Sequence, residues 1–379
     1  MKGNGMPPLV IDVRSADDTR DCIHRAVQAL AEGKLVALPT ETVYTVAASA
    51  LNETAVARLL AAKRRQPGHP PLTLGIKSAA EALDYVPNMT TIGQRLARRC
   101  WPGPVTIVCA NHHPESVLSR LPEAVRAAVT PTGTVGLRVP GHAMFLDTLR
   151  LIVGPVALSS ANHAGQPDPL TAQEVVSALG DDVALVLDDG RARFGQPSSV
   201  IKVDERTFEV IRAGVVSEHT LRRLASLSIV FVCTGNTCRS PMAEAMCRSI
   251  VATRLGCSIN ELEDRGVVVS SAGISASMGG RPSPEAVVIM SEWGIDLSSH
   301  ESQQLSEQLI RHADVIWTMT RSHRQAILHQ WPDASGRVHL LRADGQDVSD
   351  PIGGPTDQYR RCAEQIKAEL AFRLKELDL

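Results

Sequence analysis

A cysteine and an arginine near the middle of the chain have the spacing that phosphoryl transfer requires. Five residues separate Cys233 from Arg239, and Ser240 and Pro241 follow directly. A thiolate is a strong nucleophile, and a guanidinium donates two parallel hydrogen bonds to a phosphate. If the intervening loop cradles a phosphate, Cys233 attacks the phosphorus while Arg239 holds its oxygens. The spacing therefore predicts a cysteine-dependent phosphatase.

The elements on either side of the loop would position these two side chains. Residues 228–232 are a serine followed by four apolar residues with β-branched and aromatic side chains, which predicts a buried strand. Ser240 is a favoured N-cap and Pro241 suits the first helical position, so we expect a helix to begin there. The positive end of that helix would face the loop, where it favours an anion and stabilises a thiolate.

The two cysteines of the loop allow other interpretations. Cys233 and Cys238 could form a metal pair or a disulfide, and a cysteine at a strand end is often a small packing residue. A metal site would need two further ligands at short spacing, and the sequence places none nearby. We therefore expect no metal ion here, and the complete string favours a phosphate-binding loop.

The string from Val232 to Glu244 resembles the signature of low-molecular-weight protein tyrosine phosphatases. The resemblance covers residues 227–379 and includes the pair Asp350 and Pro351, which two glycines follow. It implies an α/β domain with a doubly wound parallel sheet and no cofactor. It also implies that Cys233 is the nucleophile, that Arg239 binds phosphate, and that Asp350 acts first as general acid and then as base.

The same resemblance implies supporting roles for other loop residues. Asn236 would brace the loop, and Ser240 would donate a hydrogen bond to the thiolate. Cys238 has two open interpretations. It either forms a reversible disulfide with Cys233, which would protect the nucleophile from over-oxidation, or it is a packing residue.

Two positions bear on the choice of substrate. Thr237 stands where many tyrosine phosphatases of this family have an aliphatic residue, and bacterial protein arginine phosphatases have threonine there. Ile352 stands where an aromatic wall residue is common in the tyrosine enzymes. A polar, narrower pocket floor without a stacking ring suits a planar guanidinium, so phosphoproteins carrying phosphotyrosine or phosphoarginine are both expected substrates.

The first two hundred residues alternate strand-like and helical segments, which predicts a second α/β unit. Apolar stretches predict strands at residues 105–109, 135–139, 153–158 and 183–187. The segments between them are rich in arginine, lysine and hydroxyl side chains, a set that suits a polyanion such as a nucleoside triphosphate. No glycine-rich Walker loop is present, so an ordinary P-loop ATPase is disfavoured.

Short motifs of this region together resemble the YrdC-type domain of L-threonylcarbamoyl-AMP synthases across residues 10–220; they include residues 39–44, 138–140, 159–162 and 197–200. The resemblance implies a twisted mixed sheet with helices. It also implies synthesis of L-threonylcarbamoyl-AMP from L-threonine, bicarbonate and ATP with Mg²⁺, for the modification of tRNA. It places Thr40, Arg138 and Ser198 near threonine. The residues that it places around ATP are Lys63, Arg65, Thr134, Ser160, Asn162 and Arg212.

Two residues depart from the synthase pattern. Thr45 stands where the family usually has glycine, and Asp168 stands where a small hydroxyl is common near the nucleotide. A side chain at position 45 would reduce the space in the pocket, and a carboxylate at position 168 would repel phosphate. The alternative to a bifunctional enzyme is therefore a phosphatase fused to an inactive module that binds nucleotide or double-stranded RNA.

Bulk properties limit the remaining possibilities. A chain of 379 residues suits two or three domains, and we expect the seam within residues 217–227. The net charge of −2 gives no general attraction to nucleic acid or membranes, so tRNA or tRNA-modification proteins would have to bind at a local patch. No apolar stretch is long enough to span a bilayer. Eight scattered cysteines, one of them a predicted thiolate, indicate the reducing cytoplasm.

Overall fold

The computed structural model describes residues 7–64 and 68–377, and the chain divides into two compact units between Leu221 and Arg222. We call them the first unit and the second unit. Arg65, one of the residues expected near ATP, lies outside the described residues. Within the described ranges, no helix is long and apolar enough to cross a membrane.

The first unit is built on a single mixed sheet. Its strands are β1 (Leu9–Asp12), β2 (Val36–Leu38), β3 (Thr45–Ser49), β4 (Thr73–Gly75), β5 (Val105–Ala110), β6 (Thr134–Arg138), β7 (Val156–Ser160), β8 (Leu185–Asp188), β9 (Ser199–Val203) and β10 (Phe208–Arg212). Its helices are α1 (Thr19–Ala31), α2 (Glu53–Ala62), α3 (Ala82–Tyr85), α4 (Thr91–Cys100), α5 (Glu123–Val129), α6 (Ala143–Leu151), α7 (Ala172–Leu179) and α8 (Glu218–Ala225), the last of which contains the division between the units.

The order of the strands is β1-β8-β2-β3-β7-β4-β6-β5-β9-β10, with parallel and antiparallel neighbours, as the predicted mixed sheet requires. In β5, β6 and β9 alternate residues face one side of the sheet, and side chains of this face form the wall of a cavity. Strand β7 begins three residues later than predicted, and β8 begins two residues later. Gly154 has a φ of +75°, which turns the chain, so β7 starts at Val156 and Val153 is left 77 % exposed.

The second unit has a smaller, fully parallel sheet. Its strands are β11 (Leu227–Cys233), β12 (Val267–Gly273), β13 (Val315–Thr318) and β14 (Val338–Leu340), in the order β12-β11-β13-β14. Its helices are α9 (Arg239–Leu255), α10 (Pro284–Glu292), α11 (Glu307–His312), α12 (Arg321–Gln330) and α13 (Thr356–Arg373).

Both faces of the parallel sheet are covered, which confirms the doubly wound arrangement. Ile229 and Phe231 of β11 pack in the core cluster that contains residues of α9, α10 and α13. Val230 and Val232, which point the other way, pack with residues of α11 and α12. A strand buried on both faces is continuously apolar, and this explains the uninterrupted run in the sequence.

The start of α9 differs from the prediction. Helix α9 begins at Arg239, Cys238 occupies the N-cap position without a side-chain cap bond, and Pro241 is the third helical residue. The prediction that Ser240 is the N-cap is therefore wrong. Its hydroxyl oxygen lies 3.0 Å from the sulfur of Cys233, so the group that would cap a helix is used within the loop.

Candidate active sites

The sulfur of Cys233 lies at the end of β11 and is surrounded by hydrogen-bond donors. Cys233 is 3 % exposed. The backbone N–H of Asn236 points at its sulfur from 3.2 Å, and the hydroxyl oxygen of Ser240 lies 3.0 Å away. Since that hydroxyl accepts a hydrogen bond from the Asn236 amide, its own proton is available to the sulfur. Both groups can donate a hydrogen bond to the sulfur.

Hydrogen bonds of the Asn236 side chain hold the loop in place. Asn236 has a φ of +55°, and its amide nitrogen donates to Ser240 and, at 2.8 Å, to Ser271. Its amide oxygen accepts from the backbone N–H of Gln303 at 2.9 Å. Asn236 thus connects the loop to α9, to β12 and to the segment after α10.

A buried acid lies behind this loop. The hydroxyl of Ser271 donates to Glu244 at 2.6 Å, and His300 lies 4.0 Å from the same carboxylate. Burial raises the pKa of Glu244, while the Ser271 hydrogen bond and His300 oppose that shift. His300 and Gln303 were not predicted as site residues, because their contacts with the loop depend on the packing of the segment after α10.

Arg239 and Asp350 meet above the loop. Nη2 of Arg239 lies 2.6 Å from Oδ2 of Asp350, and the arginine side chain is 5 % exposed whereas the aspartate side chain is 45 % exposed. A second arginine nitrogen donates to the carbonyl of Val348 at 3.4 Å. Arg239, the residue expected to bind phosphate, is therefore held by two contacts. Asp350, the candidate general acid, is accessible to solvent.

The second loop cysteine is in contact with two hydroxyl groups. The sulfur of Cys238 lies 3.6 Å from Oγ1 of Thr237 and 3.6 Å from the hydroxyl of Tyr359. Burial raises the pKa of Tyr359 to about 12, so its hydroxyl stays protonated at neutral pH. Cys233 and Cys238 are both free thiols, and a disulfide between them stays a prediction.

The first unit contains a cavity of about 630 Å³ on one face of the sheet. A volume of this size suits a ligand as large as a nucleotide. Seven of the residues expected around threonine and ATP line it: Lys63, Thr134, Arg138, Ser160, Asn162, Ser198 and Arg212. Both departures from the synthase pattern, Thr45 and Asp168, line it as well.

The ammonium group of Lys63 is held by protein oxygens. It donates to the carbonyl of Ser160 at 2.7 Å and to the amide oxygen of Asn162 at 2.7 Å. The amide nitrogen of Asn162 in turn lies 3.3 Å from a carboxylate oxygen of Asp168. Asp168, whose carboxylate was expected to repel phosphate, is thus hydrogen-bonded within this network.

Arg138, which lines the same cavity, forms an ion pair. Its Nη2 lies 2.7 Å from Glu41 and 3.0 Å from the hydroxyl of Thr42. Glu41 was not predicted as a site residue, although it lies in the motif formed by residues 39–44. Thr40 was predicted near threonine, but its hydroxyl donates to the carbonyl of Val43 at 2.6 Å, and Thr40 does not line the described cavity.

Arg212 and Ser198 are joined directly. The guanidinium of Arg212 donates to the carbonyl of Ser198 at 2.9 Å and to its hydroxyl at 3.1 Å. The hydroxyl of Ser198 also lies 3.1 Å from that of Thr106 in β5. The structure therefore brings a residue expected near threonine into contact with one expected near ATP.

Comparison with protein families gives one match for each unit. The model of the Sua5, YciO and YrdC proteins, described as telomere recombination, matches residues 28–214. The model described as low molecular weight phosphotyrosine protein phosphatase matches residues 228–378.

Individual relatives agree with this division. A threonylcarbamoyl-AMP synthase of Pyrococcus abyssi is 35 % identical over 206 residues, which are 54 % of this chain and 57 % of that protein, so the chain spans little more than half of that relative. A protein-arginine-phosphatase of Bacillus subtilis is 39 % identical over 155 residues, which are 40 % of this chain and 97 % of that protein. A solved structure of a Pyrococcus abyssi Sua5 variant has a TM-score of 0.51 at 23 % identity, covering 88 % of this chain and 99 % of its own, a likeness of fold.

Proposed function

The first unit belongs to the Sua5, YciO and YrdC family and the second to the low-molecular-weight phosphatases, and we propose that the chain is a bifunctional enzyme. One activity forms L-threonylcarbamoyl-AMP, and the other is a cysteine-dependent protein phosphatase. The observation that carries the phosphatase proposal is the contact of Arg239 with Asp350 beside a sulfur that Ser240 and Asn236 surround. The phosphatase activity suits a reducing compartment such as the cytoplasm, because Cys233 has to remain reduced.

The phosphatase reaction would proceed in two steps. Cys233 attacks the phosphorus, its S–P bond forms as the bond to the leaving group breaks, and Asp350 gives its proton to that group. Arg239 and the loop N–H groups hold the phosphoryl oxygens. Asp350 then takes a proton from water, which attacks the phosphocysteine and releases inorganic phosphate.

We propose phosphoarginine as the preferred substrate of this site. Thr237 contributes a hydroxyl to the loop, and Ile352 is 68 % exposed next to Asp350 without a ring for a phenyl group to stack on. The Bacillus subtilis relative, a protein-arginine-phosphatase, supports this choice. Phosphotyrosine is the second candidate, since the matched family model is described by that substrate.

Matched peptides that carry phosphoarginine or phosphotyrosine would test this preference. We expect a kcat/KM at least about tenfold higher for phosphoarginine, and a higher value for phosphotyrosine would reverse the assignment. The Cys233→Ser protein is the control for hydrolysis that does not depend on the site, which matters because phosphoarginine is labile in acid.

The synthase reaction needs no protein nucleophile. The amine of threonine condenses with bicarbonate to give a carbamate and water. A carbamate oxygen then attacks the α-phosphorus of ATP as the bond to the leaving pyrophosphate breaks. The protein has to hold several anions together against their repulsion. Lys63 and Arg212 line the cavity with charges that would bind the phosphates, and Arg138 would bind the carboxylate of threonine.

Mg²⁺ would enter this site with the triphosphate. The described residues contain no group of three or more histidine, cysteine or acidic side chains able to hold a metal ion. Asp168 is the carboxylate that lines the cavity, and carboxylate oxygens are suitable Mg²⁺ ligands. The ion would neutralise part of the phosphate charge.

Pyrophosphate release by the purified chain would test the synthase proposal. We expect release that requires threonine, bicarbonate and ATP together. If ATP binds without any release, the first unit is a nucleotide-binding module rather than an enzyme. The product would serve the modification of tRNA, so transfer to an adenosine of tRNA by a partner enzyme is the expected next reaction.

A further inference from the structure

A buried histidine of α12 contacts the phosphate loop, and no predicted role accounts for it. His323 is 7 % exposed, and its Nε2 lies 2.9 Å from Oγ1 of Thr234, the residue directly after the nucleophile. The backbone carbonyl of Thr234 accepts a hydrogen bond from Ser275 at 3.0 Å. The first residue of the loop is therefore held by its backbone from one side and by its side chain from another.

The imidazole is neutral at physiological pH. Burial lowers the pKa of His323 to about 4, and the nearby charge of Arg239 adds to that shift. The carboxylates of Asp350 and Asp347 oppose it without offsetting it. A protonated imidazole would place a second positive charge next to Arg239, and the protein avoids this arrangement.

The unpaired nitrogen of the ring indicates which tautomer is present. Nδ1 of His323 is buried and has no hydrogen-bond partner among the described residues. A proton on Nδ1 would be a buried donor without an acceptor, which costs free energy. With the proton on Nε2, the ring donates to Thr234 and leaves only a lone pair at Nδ1.

We propose that His323 is a positioning residue of the phosphate loop, which it holds by donating from Nε2 to the hydroxyl of Thr234. The inference rests on the proposed phosphatase function of this loop. Loop N–H groups bind a phosphate only when the backbone keeps them pointed inward, and residue 234 sets the direction in which the chain leaves the strand. In this proposal His323 acts on the loop through its contact with Thr234.

A double-mutant cycle in the full chain tests this proposal. Thr234→Val removes the hydroxyl, His323→Leu removes the donor, and the double variant removes both. We expect each variant to lower kcat/KM for an aryl phosphate by about fivefold, as the loss of one hydrogen bond allows. The double variant should also lose about fivefold, because either change breaks the same contact. Independent effects, which multiply to about 25-fold, overturn the proposal.

A conservative variant and a control separate positioning from packing. The side-chain nitrogen of His323→Gln reaches the place of Nε2, so this variant should keep kcat/KM within about twofold of the wild type. His329→Gln, on the exposed side of the same helix, should have no effect. Imidazole ¹⁵N shifts should show the proton on Nε2, and a proton on Nδ1 would contradict the assignment.

Binding of inorganic phosphate distinguishes failure of this inference from failure of the proposed function. If the wild type binds phosphate but hydrolyses no ester, the phosphatase proposal fails, and weaker phosphate binding by both single variants still supports the role of His323. If the wild type hydrolyses esters and neither variant changes kcat/KM or phosphate affinity, only this inference fails. A wild type that neither binds phosphate nor turns over overturns both.

Discussion

The carboxylate of Asp350 lies 2.6 Å from the guanidinium of Arg239, although the two residues are 111 positions apart in the chain. One partner is anchored and the other is accessible, since the side chains are 5 % and 45 % exposed. A phosphate entering the loop would take over hydrogen bonds of Arg239. Asp350 would then be left at the mouth of the site, where a leaving group departs.

Replacement of the nucleophile should separate turnover from binding. We expect Cys233→Ser to lower hydrolysis of an aryl phosphate at least about a thousandfold, because a neutral hydroxyl replaces a thiolate. Affinity for inorganic phosphate, measured by calorimetry, should change by less than about threefold. Cys257→Ser, at a partly exposed free cysteine, is the matched control, and turnover equal to the wild type in Cys233→Ser would refute the assignment.

The effect of Asp350→Asn should depend on the leaving group. An amide cannot supply the proton, so we expect a loss of about 10²–10⁴-fold for phenyl phosphate and a much smaller loss for nitrophenyl phosphate, which needs less protonation. A series of aryl phosphates of graded leaving-group pKa measures this difference. Asp333→Asn, at an exposed aspartate of the same unit, is the control, and equal losses across the series would count against a general acid.

Thr237→Ile should change the preference between substrates. This substitution replaces a hydroxyl of the loop with a branched aliphatic side chain, which suits a phenyl ring better than a guanidinium. We expect the ratio of kcat/KM for phosphoarginine to that for phosphotyrosine peptides to fall at least about tenfold. Thr253→Val, at an exposed threonine of α9, should leave the ratio unchanged, and an unchanged ratio in Thr237→Ile would end the argument from this residue.

In the first unit, Arg138→Lys should affect threonine more than ATP. Lysine lacks the planar fork that binds a carboxylate through two hydrogen bonds, and it would also weaken the pairing with Glu41. We expect KM for threonine to rise about tenfold or more and KM for ATP to change by less than about twofold, both measured by pyrophosphate release. Arg126→Lys, at an exposed position of α5, is the control, and an equal rise in both KM values would show that the cavity as a whole is disturbed.

The depressed pKa of His323 predicts how stability changes in acid. The value is about 4 in the folded chain and 6.5 for an ordinary histidine, so between these pH values the unfolded chain takes up a proton that the folded chain does not. The second unit should therefore lose stability as the pH falls from 6.5 to 4.

Hydrogen exchange of the β11 amides at several pH values measures this loss, because it reports on the second unit alone. His323→Gln carries no such group, so its stability should fall less over the same range. If the stability of the wild type and of His323→Gln fell in parallel with pH, this histidine would not contribute to the loss of stability in acid.

Local features of the sequence predicted the loop better than they predicted its surroundings. The strand before Cys233 and the roles expected of Arg239 depend on residues close together in the chain. The predicted N-cap at Ser240 was wrong because its hydroxyl meets the sulfur, a tertiary contact that outweighs a local preference. The pairing of Arg138 with Glu41 could not be predicted either, because it joins residues 97 apart through the packing of the first unit.

The left-handed backbone of Asn236 imposes two separate requirements on one position. Glycine would adopt a φ of +55° easily but would remove the amide that joins Ser240, Ser271 and Gln303. Aspartate would tolerate that backbone and accept from Gln303, but it would set a negative charge beside the thiolate and lose both donated hydrogen bonds. Position 236 therefore requires asparagine unless the neighbouring residues change together with it.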